Sequence, residues 1–323
     1  MAHPRIRHLL VAGGAGFLGA AFVRDRLRAA PELLITVLDA LRRPTAAGDL
    51  VDLVEDRRFR LVQGDVCDRS LVEDLAGKAD AIVNFASEEF VGGSRADGLA
   101  FARTDVEGTA NLLEAARKFR HQRFLLASSM EVYGPLKGAP NREDDAIAPR
   151  TLPAAARAAA GMLARAYHAS HAVPILITRG AATYGPRQPV DQPVARMIAA
   201  ALQGVPVDIE ADGSAVRDYL YVDDQVAAMA RVLWKGDAGG TYNIGGGVQV
   251  SSSDLADMIL RLCGKPLSLK RFVKDGPRWS YAIDTRRMRP LGWEPRTPLG
   301  EGLRTTVDWY KKNEAWWRDR QAA

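Results

Sequence analysis

The chain is poor in the groups that cross-link, anchor or metallate a protein. It has 2 cysteines and 5 histidines in 323 residues. Cys67 and Cys263 lie far apart and lack the short spacing of a zinc or redox pair. No disulfide and no metal site is therefore expected, and a reducing cytoplasm is the compartment that fits. Both thiols read as small buried apolar groups. His8 and His121 read as surface residues, and His168 and His171 lie on or just past a helix with no metal partner in view. No apolar run reaches the roughly 18 residues of a membrane span, and Met1 to Arg7 lacks the layout of a secretion signal. Basic residues outnumber acidic ones only modestly, 44 to 39, and the arginines are scattered. A nucleic-acid interface wants a clustered basic stripe interleaved with aromatics, and none is present. Nucleic acid and membrane drop out as partners, which leaves a small-molecule substrate.

What is present is a globular composition, 47% hydrophobic and 26% charged, with glycines placed where they carry meaning. The apolar run Leu9 to Ala12 reads as a buried parallel strand, and it breaks into Gly13-Gly14-Ala15-Gly16-Phe17-Leu18-Gly19. Gly14, Gly16 and Gly19 fit G-x-G-x-x-G, and an amphipathic run, Phe17 to Ala29, follows at once. Such glycines serve a tight turn, a close approach of pyrophosphate to backbone, and the packing of helix on strand. The new helix would turn its free N–H groups and positive end to the phosphates. Asp39 ends the next apolar run, 20 residues past Gly19, where an acid can accept both ribose hydroxyls of adenosine. A dinucleotide site is the expectation. Its form stays open: Asp39 suits NAD(H), while Arg42 and Arg43 could pair with the extra phosphate of NADP(H).

Further strands are expected at Phe59 to Gln63, Ala81 to Phe85, Phe124 to Ala127 and Ile175 to Thr178. Helices are expected from about Ala100 to Phe119 and from Leu152 to His171, where Pro174 stops the Ala-rich run. This alternation means an α/β fold, a Rossmann-type doubly wound parallel sheet, over residues 1–178. From Arg179 prolines and glycines punctuate short elements, and residues 179–323 read as a smaller α/β substrate domain. A helix at Val222 to Trp234 and a strand at Thr241 to Ile244 would return residues 222–245 to the first domain. Ser253-Asp254 would cap a helix to Cys263, and the tail from Leu303 to Trp317 reads as one helix.

Taken in order, several pieces resemble the extended short-chain dehydrogenase/reductases, above all the nucleotide-sugar 4,6-dehydratases and epimerases. They include the glycine loop, Asp39, Gly64-Asp65-Val66, Phe85-Ala86-Ser87, Thr104 with Gly108-Thr109, and Ser128-Ser129 to Gly134. Tyr184-Gly185-Pro186, Arg217-Asp218, Tyr221-Val222-Asp223-Asp224, Tyr281 to Asp284 and Leu291-Gly292-Trp293 complete the set. The resemblance implies cofactor roles for Gly13, Gly16, Phe17, Leu18, Gly19, Asp39, Asp65, Val66, Phe85, Ala86 and Ser87. Asp65 and Val66 would line the adenine and Ala86 the nicotinamide half. It also implies a homodimer packed through the helices near 100–119 and 152–171.

The chain departs from that pattern where the chemistry sits. The family spaces a Tyr and a Lys as Y-x-x-x-K at the start of the long helix, and here those positions hold Pro153 and Arg157. Arg157 could still hold the nicotinamide ribose, but a guanidinium cannot serve as an acid at neutral pH. The dehydratases' Asp–Glu pair reads Met130-Glu131, while Ser129 keeps the catalytic Ser/Thr position. Ser94 aligns with a family Ser near the substrate, and Glu88 could be a carboxylate of the substrate loop. Gly180, Ala181, Ala182 and Trp279 stand where the family carries bulky or polar groups, which enlarges the pocket and makes it apolar.

Two working enzymes and one silent protein fit. The first is an NAD(P)H-dependent ketoreductase for a bulky aromatic, angucyclinone-like polyketide ketone, similar to atypical antibiotic-pathway reductases that lack the Tyr. A neighbouring phenol on the substrate would supply the proton, against the roughly 10²–10⁴-fold cost of losing a general acid. The second is a nucleotide-sugar dehydratase or epimerase with relocated groups, Tyr133, Tyr184 or Glu131. The third binds NAD(P) without catalysis.

Overall fold

A parallel strand whose two faces are both covered by helices needs apolar residues on both, and this chain supplies them in short runs. The computed structural model describes residues 4–42, 47–88, 98–274 and 279–322. Its main sheet uses β1 (His8–Ala12), β2 (Leu34–Asp39), β3 (Phe59–Gln63), β4 (Ala81–Asn84), β5 (Arg123–Ser129) and β6 (Ile175–Gly180). Three short strands follow, β7 (Ala182–Tyr184), β8 (Val207–Glu210) and β9 (Val216–Tyr221), before β10 (Thr241–Ile244) adds to the main sheet beside β6. The seven main strands are all parallel and run in space β10-β6-β5-β4-β1-β2-β3. The chain winds outwards in one direction from β1 and then in the other from β4. The reversal between those two strands is where an open sheet of this kind leaves a crevice for ligands.

Helices clothe both faces of this sheet. On one, α1 (Phe17–Ala29) buries Phe22 and Val23 against Leu9 and Val11. On the other, α2 (Arg69–Ala76) is capped by Asp68, whose side chain accepts from Leu71 N. Next come α3 (Gly98–Phe101), a π-helical turn over Ala102–Glu107 and α4 (Gly108–Lys118), one continuous run where a plain helix was expected. Beside them lies α5 (Leu152–His171), capped by Thr151, with Ala160 and Ala164 packed towards Leu126 and Ile177.

The second region builds its own core from α6 (Pro193–Gln203), α7 (Val222–Lys235), α8 (Ser252–Leu262), α9 (Leu299–Lys312) and α10 (Glu314–Ala322). Of these, α7 joins α1 on the main sheet through Val226 and Met229. The others bury Ile198, Ile259, Leu303, Tyr310 and Trp317 around β8 and β9. β9 pairs with β7 in parallel and with β11 (Gln249–Ser251) antiparallel, while β8 pairs with β12 (Lys270–Val273).

Three expectations need correcting. The cap of α8 is Ser251, whose hydroxyl accepts from Asp254 N, and not Ser253-Asp254. The tail is two helices broken at Asn313, whose side chain donates to Trp309 O. His121 is buried at 4% exposure, with Nε2 against Ala76 O. No helix among the described residues is long and apolar enough to cross a membrane.

Candidate active site

The carboxyl ends of β1, β2, β3 and β4 open onto one cleft. Gly13 takes the left-handed φ of +72° that turns the chain out of β1, so the tight turn falls at Gly13 and not at Gly14. A Cβ on Gly13 would lie 2.5 Å from Ala86 N, so two backbone segments touch there. At Gly19 a Cβ would lie 2.3 Å from Gly13 O, which presses α1 onto the loop. Gly16 faces the cleft and meets only Gly13 O, at 3.5 Å. The first turn of α1 carries no acidic side chain to compete for its N–H groups. A flat backbone cradle beside a helix N-terminus is what a pyrophosphate fits.

Asp39, the last residue of β2, lines the cleft next to this loop. Its carboxylate accepts from Ala15 N and Leu41 N, both at 2.9 Å, which fixes its direction and leaves acceptor capacity over. Val66 and Asp65 line the next part of the cleft. Burial works against an ionised Asp65, yet the Cys67 N–H and Arg42 hold its carboxyl below the ordinary range. Arg42 donates to Asp65 at 2.8 Å, pairs closely with Glu88 and reaches Thr104 at 3.4 Å. Glu88 was expected in a substrate loop; it lines the dinucleotide cleft. Pro189, from the second region, also lines the cleft, and nothing in its sequence neighbourhood signals that. Arg43 and Ser94 lie outside the described residues.

At the inner end, Phe85, Ala86 and Ser87 follow β4. Phe85 packs on Phe22 with ring centroids 5.4 Å apart, and Ala86 N donates to Asn84 Oδ1. Arg157 reaches over from α5 and its Nε donates to Ser87 Oγ at 3.2 Å. Ser87 in turn donates to Asp105 at 2.8 Å, and Glu88 N donates to the other Asp105 oxygen at 3.0 Å. Asp105 is 3% exposed, and burial pushes its carboxyl up despite the Glu88 N–H, Arg157 and Ser87 nearby. Asp105 was not singled out in the sequence. Its chemistry is visible only once the π-helical turn has brought it beneath the β4 loop.

The residues expected at the reacting end lie on and just after β5. Ser129 Oγ accepts from Glu131 N at 3.2 Å and caps a 3-10 turn over Met130–Tyr133. Met130 is 3% exposed and belongs to the core, as does Ala181 at 7%, so neither widens an open pocket as expected. Ala182 and Trp279 are half-buried, as are Ser129 and Glu131. Pro153 sits in the first turn of α5, where its missing N–H costs the helix nothing. The two tyrosines considered as substitutes are committed elsewhere. Tyr133 donates to Asn243 Oδ1 at 2.7 Å and accepts from Arg179, and Tyr184 donates to Leu299 O. Burial pushes both phenols up.

One further acid is buried in the second region. Asp218, 1% exposed on β9, accepts from Gly246 N at 2.9 Å and from the N–H groups of Gly247 and Val248. Burial nevertheless pushes its carboxyl up to about 7. Between about pH 4 and pH 7 the folded chain keeps a proton that the unfolded chain has lost, so stability falls as pH rises through that window. The gap from 3.8 to about 7 amounts to about 4 kcal/mol. Unfolding free energies of wild type and Asp218→Asn should converge in slope above about pH 7 and diverge below it. Parallel curves from about pH 4 to pH 7 would contradict the assignment.

A doubly wound sheet with a glycine cradle, a ribose acid and a cleft at the strand-order reversal defines a dinucleotide-dependent protein of the Rossmann class. Residues 9–245 match the family described as NAD dependent epimerase/dehydratase. The chain belongs to that family, within the extended short-chain dehydrogenases, and is an enzyme of the oxidoreductase type with NAD as its cofactor. It is 40% identical over 304 residues to the low-salt glycan biosynthesis protein Agl12 of Haloferax volcanii, covering 94% of this chain and 98% of that one. It is 38% identical over 316 residues to a dTDP-glucose 4,6-dehydratase of Streptomyces niveus, covering 96% and 94%. The crystal structure of dTDP-glucose 4,6-dehydratase from Bacillus anthracis in complex with NAD superposes with a TM-score of 0.91 at 33% identity, covering 97% and 99%.

Proposed function

We propose that the chain is an NAD(P)H-dependent ketoreductase acting on a bulky aromatic, polyketide-like ketone, with the proton supplied by a phenol of the substrate itself. The observation that carries this reading is Pro153 in the first turn of α5, where the family places its proton-transferring Tyr. Proline offers no ionisable group, and a guanidinium, the group Arg157 carries one turn later, does not replace a phenol as the acid. A dehydratase begins by taking a proton from a sugar hydroxyl, which needs a base; a reductase needs only a proton delivered to oxygen.

When bound, the reduced nicotinamide supplies hydride to the carbonyl carbon. The chain's own part is positioning. Arg157, steadied through Ser87 and Asp105, holds the inner end of the cleft. The Ser129 hydroxyl, its lone pair engaged by Glu131 N, keeps its proton to donate to the substrate oxygen. The carbonyl gains hydride and a phenolic proton, the phenolate is reprotonated by water, and the products are alcohol and oxidised cofactor. Half-buried Ala182 and Trp279 suit a flat apolar ligand better than a hydrated sugar. Both cofactor forms are expected to bind: Asp39 disfavours a 2′-phosphate, and Arg42, shared with Asp65 and Glu88, offers a partial counter-charge. A homodimer through the helices near 100–119 and 152–171 belongs to the same proposal, with exposed Leu99 and Leu152 at the start of those runs in its support.

The relatives favour a second reading, action on a nucleotide sugar, since they are named for dTDP-glucose 4,6-dehydration. On names alone that reading stands ahead of a polyketide substrate. One assay separates them. NADH and NADPH consumption is followed with a panel of phenolic quinone ketones, and dTDP- and UDP-glucose are incubated separately and scored for a 4-keto product. Ketone-dependent cofactor oxidation supports the reductase. A 4-keto sugar formed without net oxidation of cofactor replaces it with the second reading. Tight cofactor binding with neither product leaves a cofactor-binding protein and removes both.

A further inference from the structure

Along the middle of α5 lies a second, partly open cavity, which shares no lining residue with the dinucleotide cleft. Its walls are apolar, formed by Val132, Ile147, Met162 and Ile177. Its charge is all of one sign: Arg157 and Arg165 enter from α5, Arg179 from β6, and no carboxylate lines it. None of the three arginines forms an ion pair among the described residues. Arg179 is 5% exposed; its Nη1 donates to Tyr133 Oη at 2.8 Å and Glu143 O at 3.1 Å, and its guanidinium lies over the Tyr133 ring. Those contacts hold the group in place without neutralising it. Arg157 spends its Nε on Ser87, and its side chain also lines the cavity.

Arg179 is buried, Arg157 is half-buried with the Asp105 carboxylate nearby, and Arg165 is exposed, so the three cations share one partly open space whose net charge favours an anion. The space exists because α5 is small at this point. Ala158 and Gly161 line the cavity, and a Cβ on Gly161 would meet nothing within 4 Å.

We propose that this cavity binds an organic carboxylate, the carboxyl group held by Arg157, Arg165 and Arg179 and the apolar body lying against Val132, Ile147 and Ile177. A guanidinium takes a carboxylate through two parallel N–H donors, and an apolar pocket with a few convergent polar groups is the usual form of a small-molecule site. Arg157 stands in the wall between the two cavities, so a ligand here is felt at Ser87 in the dinucleotide cleft. The site shares Arg157 with the reaction proposed above, but it is read by binding and not by turnover.

The test uses the full chain saturated with NADH, so that the first cleft is filled, and calorimetric titration with 1-naphthoate or its neutral analogue 1-naphthamide. Naphthoate should bind with a submillimolar Kd, and naphthamide at least about tenfold more weakly. Arg165→Gln removes one cation at an exposed position, and Gly161→Leu fills the space while favouring the helix. Each should weaken naphthoate by about tenfold or more with the NADH Kd kept within about twofold. Equal binding of the acid and the amide, or undiminished binding in Arg165→Gln, overturns the proposal. So does the absence of naphthoate binding up to about 10 mM. Arg165→Gln alters only an exposed side chain, so the test stands even where Gly161→Leu does not fold.

Discussion

Gly19→Ala should raise the dissociation constant for NADH by about 100-fold, equivalent to about 2.7 kcal/mol. The added methyl would sit 2.3 Å from Gly13 O and 2.8 Å from Gly14 Cα, and both atoms are backbone, so no side chain can swing away. Relief comes only if α1 slides off the loop. That movement takes with it the N–H groups that face the phosphates and loosens the Phe22 contact with Phe85. The chain should still fold, since overpacking of one methyl costs about 1–3 kcal/mol. Fluorescence titration with NADH, beside a thermal melt, separates the two effects. A Gly19→Ala protein that binds NADH as wild type does would mean that the loop of this chain is not its phosphate cradle.

Ser129→Ala is the second large effect. In wild type the Glu131 N–H engages an oxygen lone pair of Ser129, an arrangement that suits the donor role proposed for the hydroxyl. Removing one preorganised donor of this kind lowers kcat by about 10²–10³. The same substitution removes the cap of the 3-10 turn, worth about 1 kcal/mol of stability. A purely structural role would therefore show in the melt and leave kcat near wild type. Ser129→Thr keeps the hydroxyl and should recover most of the rate on whichever ketone or sugar the chain accepts, with NADH affinity unchanged in both variants. A full kcat in Ser129→Ala would remove the hydroxyl from the reaction.

Much of the main sheet was legible because its strands are buried on both faces, and such strands announce themselves as unbroken apolar runs. β1, β3, β4 and β6 fell within a residue or two of their expected places, and α1 and α5 matched to the residue. The second region was harder for a physical reason. β7, β8, β11 and β12 are 3 or 4 residues long, too short to show any period, and were not anticipated. α2 hid as eight residues behind its Asp68 cap. The glycine loop and Asp39 could be read because spacing along the chain carries their meaning. Arg42 against Glu88, 46 residues apart, could not, and neither could the Arg157–Ser87–Asp105 chain. These are contacts between the ends of different strands and helices, and only the winding order of the sheet brings them together. Pro153 worked the other way: the sequence marked it as a departure from the family pattern, and the helix around it is nonetheless well formed.

The late arrival of β10 has a consequence for how the protein is made. β6 is buried along its whole length, and one of its two edges is covered only by Thr241–Ile244, which follow Gly180 by 61 residues. At about 5–20 residues per second the growing chain passes roughly 3–12 seconds with that apolar edge bare. An uncovered strand edge is a template for other chains. The nascent protein is thus most prone to aggregate after the cofactor half has emerged and before the helix α7 and its following strand have left the ribosome. A synonymous-codon change that slows translation between 180 and 241 would lengthen that window and lower soluble yield without altering a single residue.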